Sequence, residues 1–369
     1  MPGAAPPGHP RRLPATRSSH ACGIPVSSVR PLVVRCGAFG DMVLLTPLLR
    51  LLQARYGRAV DVVGSGAWTP PLLQGQPSVA HVQLLASRRT PYWLSRSQQD
   101  LVRWLRGRDR GPVYFCDVTP QTRALLARGG VRDEDVVARG RDDDADGLQP
   151  WPDRWLALGM RDPAHARPTA AVDPARYRVP RIAIAEAWRS DLAGWLASRR
   201  LQGPLVLFQP GNKRTHKRGR VLTESNSKHW RPDRWCTVAR AIWDERPDAQ
   251  VLLCGSPREH AVLEEIRTTC GGDPRMHNLA QELPIPRLLA LLEVALGMVS
   301  VDTGPAHAAA ALECPLVVLF GNAPQAKWRP VGNGPIITLG GERGADSVVA
   351  DLSSAEVIAA WRALEAGVR

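Results

Sequence analysis

The sequence predicts an α/β protein built from two doubly wound parallel-sheet domains in tandem. Short apolar runs alternate with stretches of helical periodicity, each run ends at a loop bearing Gly or Asp, and the second half repeats this pattern after a Pro-rich connection. Strands that read as continuous apolar runs, rather than as alternating ones, belong in a parallel sheet covered on both faces.

In chain order, Leu32–Cys36 is a β-branched strand that meets the loop Gly37-Ala38-Phe39-Gly40. Asp41–Arg55 then shows helical spacing through Leu44, Leu45, Leu48, Leu51 and Leu52. Val60–Val63 is the next strand, closed by Gly64-Ser65-Gly66, and Gly111-Pro112 introduces another at Val113–Cys116. Between Arg161 and Pro180 the chain holds Pro163, Pro168, Pro174 and Pro180 with little periodicity, which marks a connection between domains. Beyond it, Leu205–Phe208 ends at Pro210-Gly211, Pro232–Glu245 forms a helix with Pro at its first position, and Val251–Cys254 ends at Gly255. A helix over His260–Thr268 follows, then a strand over Ala295–Val301, a helix from Pro305 to Leu312 and a strand over Pro315–Phe320. Ser353 and Glu356 form a capping box for a terminal helix. The expected divisions are a basic, Pro-rich disordered tail at 1–30, a first domain at 31–177, a second at 178–345 and a terminal helix within 346–369.

Composition narrows the function. With 369 residues the chain is long enough for two large cores, and 44% hydrophobic with 22% charged residues is ordinary for a globular protein, so fibrous and disordered classes are excluded. The 48 basic against 35 acidic side chains give a net charge of +13, which suits anionic partners such as nucleotides, phosphorylated glycans or lipid headgroups. Only Lys213, Lys217, Lys228 and Lys327 are lysines, so part of the Arg excess reflects coding bias. Nucleic acid is the rival anion, but no nucleic-acid-binding motif is present. The seven cysteines are scattered and never spaced C-x-x-C, which argues against a zinc cluster or disulfide framework and for a reducing cytoplasm. The tail lacks the apolar segment of a secretory signal, and the longest apolar stretch, Leu288–Val301, is broken by Glu293 and falls short of the roughly 18 residues that span a bilayer.

Several constellations carry chemistry. In Ser300–His307 a buried strand delivers Asp302, Thr303 and Gly304 to a helix whose first residue is Pro305, so free N–H groups and the positive end of the dipole meet where a diphosphate would sit. The bland alternative is that Asp302 and Thr303 only cap the helix, and that His307 only packs. Asp41 lies just past the first strand, where a carboxylate either serves as a general base or caps the following helix. Gly211–Arg220 combines glycine with dense positive charge after a strand end, as a phosphate clamp or as a solvated basic loop, and Lys228 precedes Trp230 just ahead of a helix. Glu259, after another strand end, is suited to ribose hydroxyls or is simply surface. Asp142–Asp146 reads as a solvated loop, because no strand leads into it, rather than as a D-x-D metal site. No Walker loop, G-x-S-x-G or H-E-x-x-H occurs, which removes P-loop kinases, serine hydrolases and zinc proteases, and the Gly37 and Gly40 loop does not match G-x-G-x-x-G, which gives a nicotinamide site little support.

Taken together, Arg35–Pro47 (R-C-G-A-F-G-D-M-V-L-L-T-P), Pro210-Gly211, Lys228-His229-Trp230, Asp302–His307 and Leu319-Phe320-Gly321 resemble glycosyltransferase family 9, which contains the lipopolysaccharide heptosyltransferases. The likeness runs in order from about residue 32 to 330. It implies a GT-B fold, with two Rossmann-like domains facing across a cleft and a last helix crossing back to the first domain. It implies inverting, metal-independent transfer of a sugar, heptose from ADP-heptose, to a lipopolysaccharide core or related anionic cell-envelope glycan, with no cofactor. Another nucleotide sugar, or a nucleotide-sugar epimerase on the same fold, is the alternative. The partners implied are a nucleotide sugar and an anionic lipid-linked acceptor, with peripheral contact at the cytoplasmic face of the inner membrane and no nucleic acid. By resemblance Asp41 is the general base and Lys228 the cation facing the leaving diphosphate. Thr303 and Gly304 form the phosphate cradle, Asp302 and His307 meet the donor, and Glu259 meets the nucleoside. Gly211, Asn212 and Lys213 fall on the donor side, Gly37 and Gly40 on the acceptor side. The basic stretch between Gly211 and Lys228 and the aromatic Phe39 depart from the family pattern.

Overall fold

The computed structural model describes residues 29–140, 147–164, 167–212, 216–217, 220–221 and 226–366. Residues 1–28 of the tail expected at 1–30, the acidic run at 142–146 and Lys213 lie outside the described residues, while Arg30 is held by an ion pair to Asp61. The first half contains β1 (Leu32–Arg35), α1 (Phe39–Val43), α2 (Thr46–Tyr56), β2 (Val60–Gly64), α3 (Thr69–Leu73), β3 (Val79–Leu84), α4 (Arg96–Arg106), β4 (Val113–Phe115), α5 (Pro120–Arg128), β5 (Val136–Ala138) and α6 (Trp151–Gly159). The second contains α7 (Glu186–Arg199), β6 (Leu205–Gln209), the two-residue strands β7 (His216–Lys217) and β8 (Arg220–Val221), α8 (Pro232–Glu245), β9 (Gln250–Leu253), α9 (His260–Thr269), β10 (Met276–Asn278), α10 (Ile285–Val294), β11 (Gly297–Val301), α11 (Gly304–Ala311), β12 (Leu316–Phe320), α12 (Gln325–Trp328), β13 (Ile336–Gly340) and α13 (Ser354–Ala366).

Each half is a parallel sheet, ordered β3-β2-β1-β4-β5 in the first and β10-β9-β6-β11-β12-β13 in the second. In both, the first strand is flanked on its two sides by strands reached in opposite directions. This creates a switch point at the carboxyl ends of β1 and β4 and another at those of β6 and β11, where doubly wound sheets open a crevice. An apolar core runs through both halves, joining Val33, Leu48 and Leu72 to Leu289, Met298 and Ala308, so the halves meet over buried apolar surface.

Three expectations are corrected. The single helix expected over 41–55 is two, because Pro47 has no N–H to give to the carbonyl of Val43. The Thr46 hydroxyl donates to that carbonyl instead, at 2.8 Å, and α2 restarts with Pro in its first turn. The expected boundary at 177/178 moves later, because the Pro-rich connection is strapped to the first half. Arg50 donates to the Val179 carbonyl at 2.9 Å, and Gln76 exchanges two hydrogen bonds with the Ala183 backbone. The second half takes over at α7, which is tied to α10 by Arg189–Glu293. Finally, α13 does not cross back: Val357, Ala360, Trp361 and Leu364 pack with Val206, Trp235 and Leu319 of the second half, where that sheet's outer face would otherwise be uncovered. The Ser353–Glu356 capping box is present as read.

Candidate active site

The loop after β1 and the helix after β11 meet face to face. Gly40 is buried, and a Cβ placed on it would lie 3.0 Å from both the Cα of Gly304 and the Cδ2 of His307. A Cβ on Gly304 would lie 2.9 Å from the Gly40 nitrogen and from a ring carbon of Phe39. Glycine at both positions therefore lets α1 and α11 touch backbone to backbone. Gly40, expected on the acceptor side, sits in this seam.

Asp41 is held from both sides. One oxygen accepts from the Ala38 backbone N–H at 2.8 Å, closing the start of α1, and the other accepts from the Arg35 guanidinium at 3.0 Å. Asp41 does cap its helix, from inside the first turn, while each oxygen keeps a lone pair for an incoming hydroxyl. Gly37 leaves room for the pair, since a Cβ there would lie 3.1 Å from Arg35 Nε and from Asp41 Oδ2.

Arg35, which carries no role in the sequence analysis, is what holds Asp41 from the strand side. It also donates to the Cys116 carbonyl at 3.0 Å, bridging the switch point from β1 to β4. Its guanidinium lies 5.4 Å from the Trp151 ring and 5.3 Å from the Trp155 ring, both on α6. The Trp328 ring of the second half lies 5.7 Å from Trp151, so the aromatic cluster that holds Arg35 also touches the opposite domain. The i, i+4 spacing of the two tryptophans was the available signal, but it identifies a helix face and not the cation upon it.

Across the seam, Lys228 Nζ donates to the Asp302 carboxylate at 2.5 Å and to the Asp302 carbonyl at 2.6 Å. The turn that carries it is closed by His229 N–H to the Asn226 carbonyl at 2.8 Å. It lies against Gly321, where a side chain would strike the Ser227 backbone, which gives the Leu319-Phe320-Gly321 run its structural sense. Thr303 stands in extended conformation at the start of α11 and its side chain makes no capping bond, while the Asp302 carboxylate goes to Lys228. Neither plays the plain cap of the bland reading; Pro305 has no N–H and the Ala306 N–H donates to the Thr303 carbonyl at 3.1 Å, so the Gly304 N–H is the first-turn donor of α11 that the helix itself leaves open.

His307 is buried on the next turn, with Asp302, Asp41 and Lys228 all close enough to act on it. Burial pushes its imidazole below the ordinary value, against the opposing pull of the two carboxylates. Its Nδ1 has no hydrogen-bond partner among the described residues. Gly211 and Glu259 make a separate group at the ends of β6 and β9. Glu259 accepts from the Ser256 N–H at 2.7 Å and its hydroxyl at 2.8 Å, and a Cβ on Gly211 would collide with its other oxygen. Asn212 is buried beside them. Cys36 and Cys116, at the same sheet edge as Asp41, are pushed up to about 12 chiefly by burial, so neither supplies a thiolate nucleophile.

Residues 188–355 match the family model described as glycosyltransferase family 9 (heptosyltransferase). The second half of the chain is thus similar to glycosyltransferase family 9. This glycosyltransferase is 28% identical over 312 residues to lipopolysaccharide heptosyltransferase 2 of Salmonella typhimurium, covering 79% of this chain and 82% of that one. Among solved structures it is similar to the ADP-heptose lipopolysaccharide heptosyltransferase II of Escherichia coli, with a TM-score of 0.71 and 22% identity over 92% of this chain and 99% of that one. It is similar also to a family 9 glycosyltransferase of Veillonella parvula, with a TM-score of 0.74 and 16% identity over 93% of this chain and 99% of the other. The chain thus has the GT-B fold, two Rossmann-like domains with their carboxyl edges turned toward each other.

Proposed function

We propose that this glycosyltransferase transfers heptose from ADP-heptose to an anionic, lipid-linked core glycan, with inversion and without a metal ion. The observation that carries the reading is the opposition across the Gly40–Gly304 contact. A carboxylate fixed by the first half faces a helix N-terminus and a lysine fixed by the second. The names of the relatives, lipopolysaccharide heptosyltransferase 2 and an ADP-heptose heptosyltransferase II, support the choice of donor and acceptor class.

In this mechanism an acceptor hydroxyl donates its proton to Asp41 as its oxygen attacks the anomeric carbon from the face opposite the leaving group. The bond from that carbon to the diphosphate oxygen breaks, and ADP leaves with the electron pair. The charge that develops on the diphosphate is met by the Gly304 N–H at the positive end of the α11 dipole and by Lys228, whose ammonium turns from Asp302 toward the phosphate. Asp302 is then released to accept from donor-sugar hydroxyls, and Gly211, Asn212 and Glu259 border the nucleoside. The acceptor approaches over the carboxyl edge of the first sheet, beside Gly37. Reaction takes place at the cytoplasmic face of the inner membrane, where such acceptors are anchored.

Incubation of the full chain with labelled ADP-heptose and a truncated core lipid should give labelled lipid, while donor alone stays unconsumed. Consumption of donor without acceptor points to epimerase chemistry, and absence of transfer with every nucleotide sugar tried removes the reading.

A further inference from the structure

The loop between β3 and α4 presents a feature that the transfer chemistry does not use. Residues 87–96 read S-R-R-T-P-Y-W-L-S-R, with three arginines and no acid. Trp93 is 74% exposed and Leu94 59%, neighbouring side chains on one 3-10 turn spanning Tyr92–Leu94. Single exposed apolar residues are ordinary, but an adjacent Trp–Leu pair held rigidly outward is not.

The turn is pinned by the helix that follows it. Gln99 donates to the carbonyls of both Tyr92 and Trp93 at 3.1 Å, and Gln98 donates to those of Ser87 and Thr90 at 2.9 and 2.8 Å. The Arg128 guanidinium covers the Tyr92 ring at 4.3 Å, closing the inner side. The carbonyls of Ser87, Thr90, Tyr92 and Trp93 and the Leu94 N–H are thereby satisfied within the protein, which lowers the cost of moving the tip into a less polar medium. Beside the pair, the exposed Arg89 and Arg96 have no acidic partner among the described residues. Arg88 ties this segment to Asp117 and Thr119 in the loop after β4, where Val118 is 87% exposed. Because the strands are parallel, both loops lie on the sheet edge that also carries Asp41.

We infer that this surface docks the enzyme on an anionic lipid bilayer. The Trp93 and Leu94 side chains enter the headgroup region, where indole rings favour the interface, and Arg89 and Arg96 pair with lipid phosphates. Two apolar side chains and a few cations give reversible attachment, not permanent anchorage. The inference deepens the proposed function, since docking by this edge brings Asp41 over the layer in which the acceptor's lipid would be embedded.

Co-sedimentation of the full chain with phosphatidylglycerol-containing vesicles, and with pure phosphatidylcholine vesicles, tests it. The chain should partition onto the anionic vesicles, with binding lowered about tenfold by Trp93→Ser with Leu94→Ser and about tenfold or more by Arg89→Gln with Arg96→Gln. Both double variants should keep the thermal midpoint of the parent and, with a detergent-dispersed acceptor, its transfer rate. Unchanged partitioning in the variants, which would place binding on another basic surface, or no partitioning of the parent chain, overturns the inference. Vesicle binding without transfer sinks the proposed activity and leaves the docking surface standing; transfer without vesicle binding does the reverse.

Discussion

Arg35 offers the sharpest test of how the first domain prepares its carboxylate. Replacing it with Met keeps an apolar chain between Trp151 and Trp155 but removes the guanidinium that donates at 3.0 Å to Asp41 and at 3.0 Å to the Cys116 carbonyl. Neither partner is open to water: the side chains are 13% exposed for Arg35 and 20% for Asp41, so screening weakens the pair only in part. A hydrogen bond to a charged group is worth about 1.5–3 kcal/mol and a neutral one about 1 kcal/mol, and the retained stacking of the Met side chain offsets some of this, giving a stability loss of about 2–4 kcal/mol. The larger effect is geometric. With one of its two holds gone, Asp41 can rotate about its bond to Ala38, and a misplacement of about 1 Å can cost about 100-fold in rate. The expected result is a turnover about 100-fold lower, with the affinity for ADP within about twofold, since Arg35 does not border the donor cradle. Arg35→Lys keeps the charge but loses the planar fork and the stack, and should fall between the two, about tenfold down. Steady-state transfer kinetics beside calorimetric ADP titration separate the effects. A folded Arg35→Met enzyme within about threefold of the parent turnover would refute the positioning role.

Further outcomes follow from the seam and the cradle. Gly304→Ala puts a methyl group 2.9 Å from the Gly40 nitrogen and must part the two halves, at a cost of about 1–3 kcal/mol; the thermal midpoint and the transfer rate should both drop, and no change in either contradicts the close contact. Lys228→Met should weaken ADP binding by about 10- to 100-fold, the worth of one charge-assisted bond to phosphate, and an unaltered dissociation constant would mean that the lysine serves only Asp302. His307 is held by burial below the ordinary imidazole value, so as pH falls past about 6.5 the unfolded chain takes up the proton first and stability declines. Urea unfolding across pH 5–8 should show a shallower decline in His307→Gln, the residual slope coming from His229 and His277, which burial depresses likewise; identical slopes would show that His307 is not the buried titrating group.

Much of the architecture was legible because parallel strands announce themselves. The runs at 32–36, 205–208 and 295–301 are largely apolar, without strict alternation, and end at loops that carry the chemistry. What escaped was set by tertiary contact. Nothing local says that Gly40 and Gly304 touch, because each is an ordinary loop glycine until the other half arrives. Asp41 was legible as a candidate but its partner was not, since Arg35 stands six residues away at a strand end and its aromatic sandwich comes from α6, more than a hundred residues on. The terminal helix was found by its capping box, yet its docking face depends on which sheet surface lacks cover, a property of the folded second half. Pro47 divided a helix that leucine periodicity alone would have joined.

The central claim is that a proton acceptor from the first domain faces a diphosphate held by the second. Asp41→Asn is nearly isosteric and can still accept the Ala38 N–H bond, so donor binding and fold should persist. Measured in one preparation, ADP affinity by calorimetry should stay within about twofold of the parent while heptose transfer falls by about 100-fold or more. Near-parental transfer by the asparagine enzyme would contradict the account, leaving Asp41 as no more than the cap of its helix.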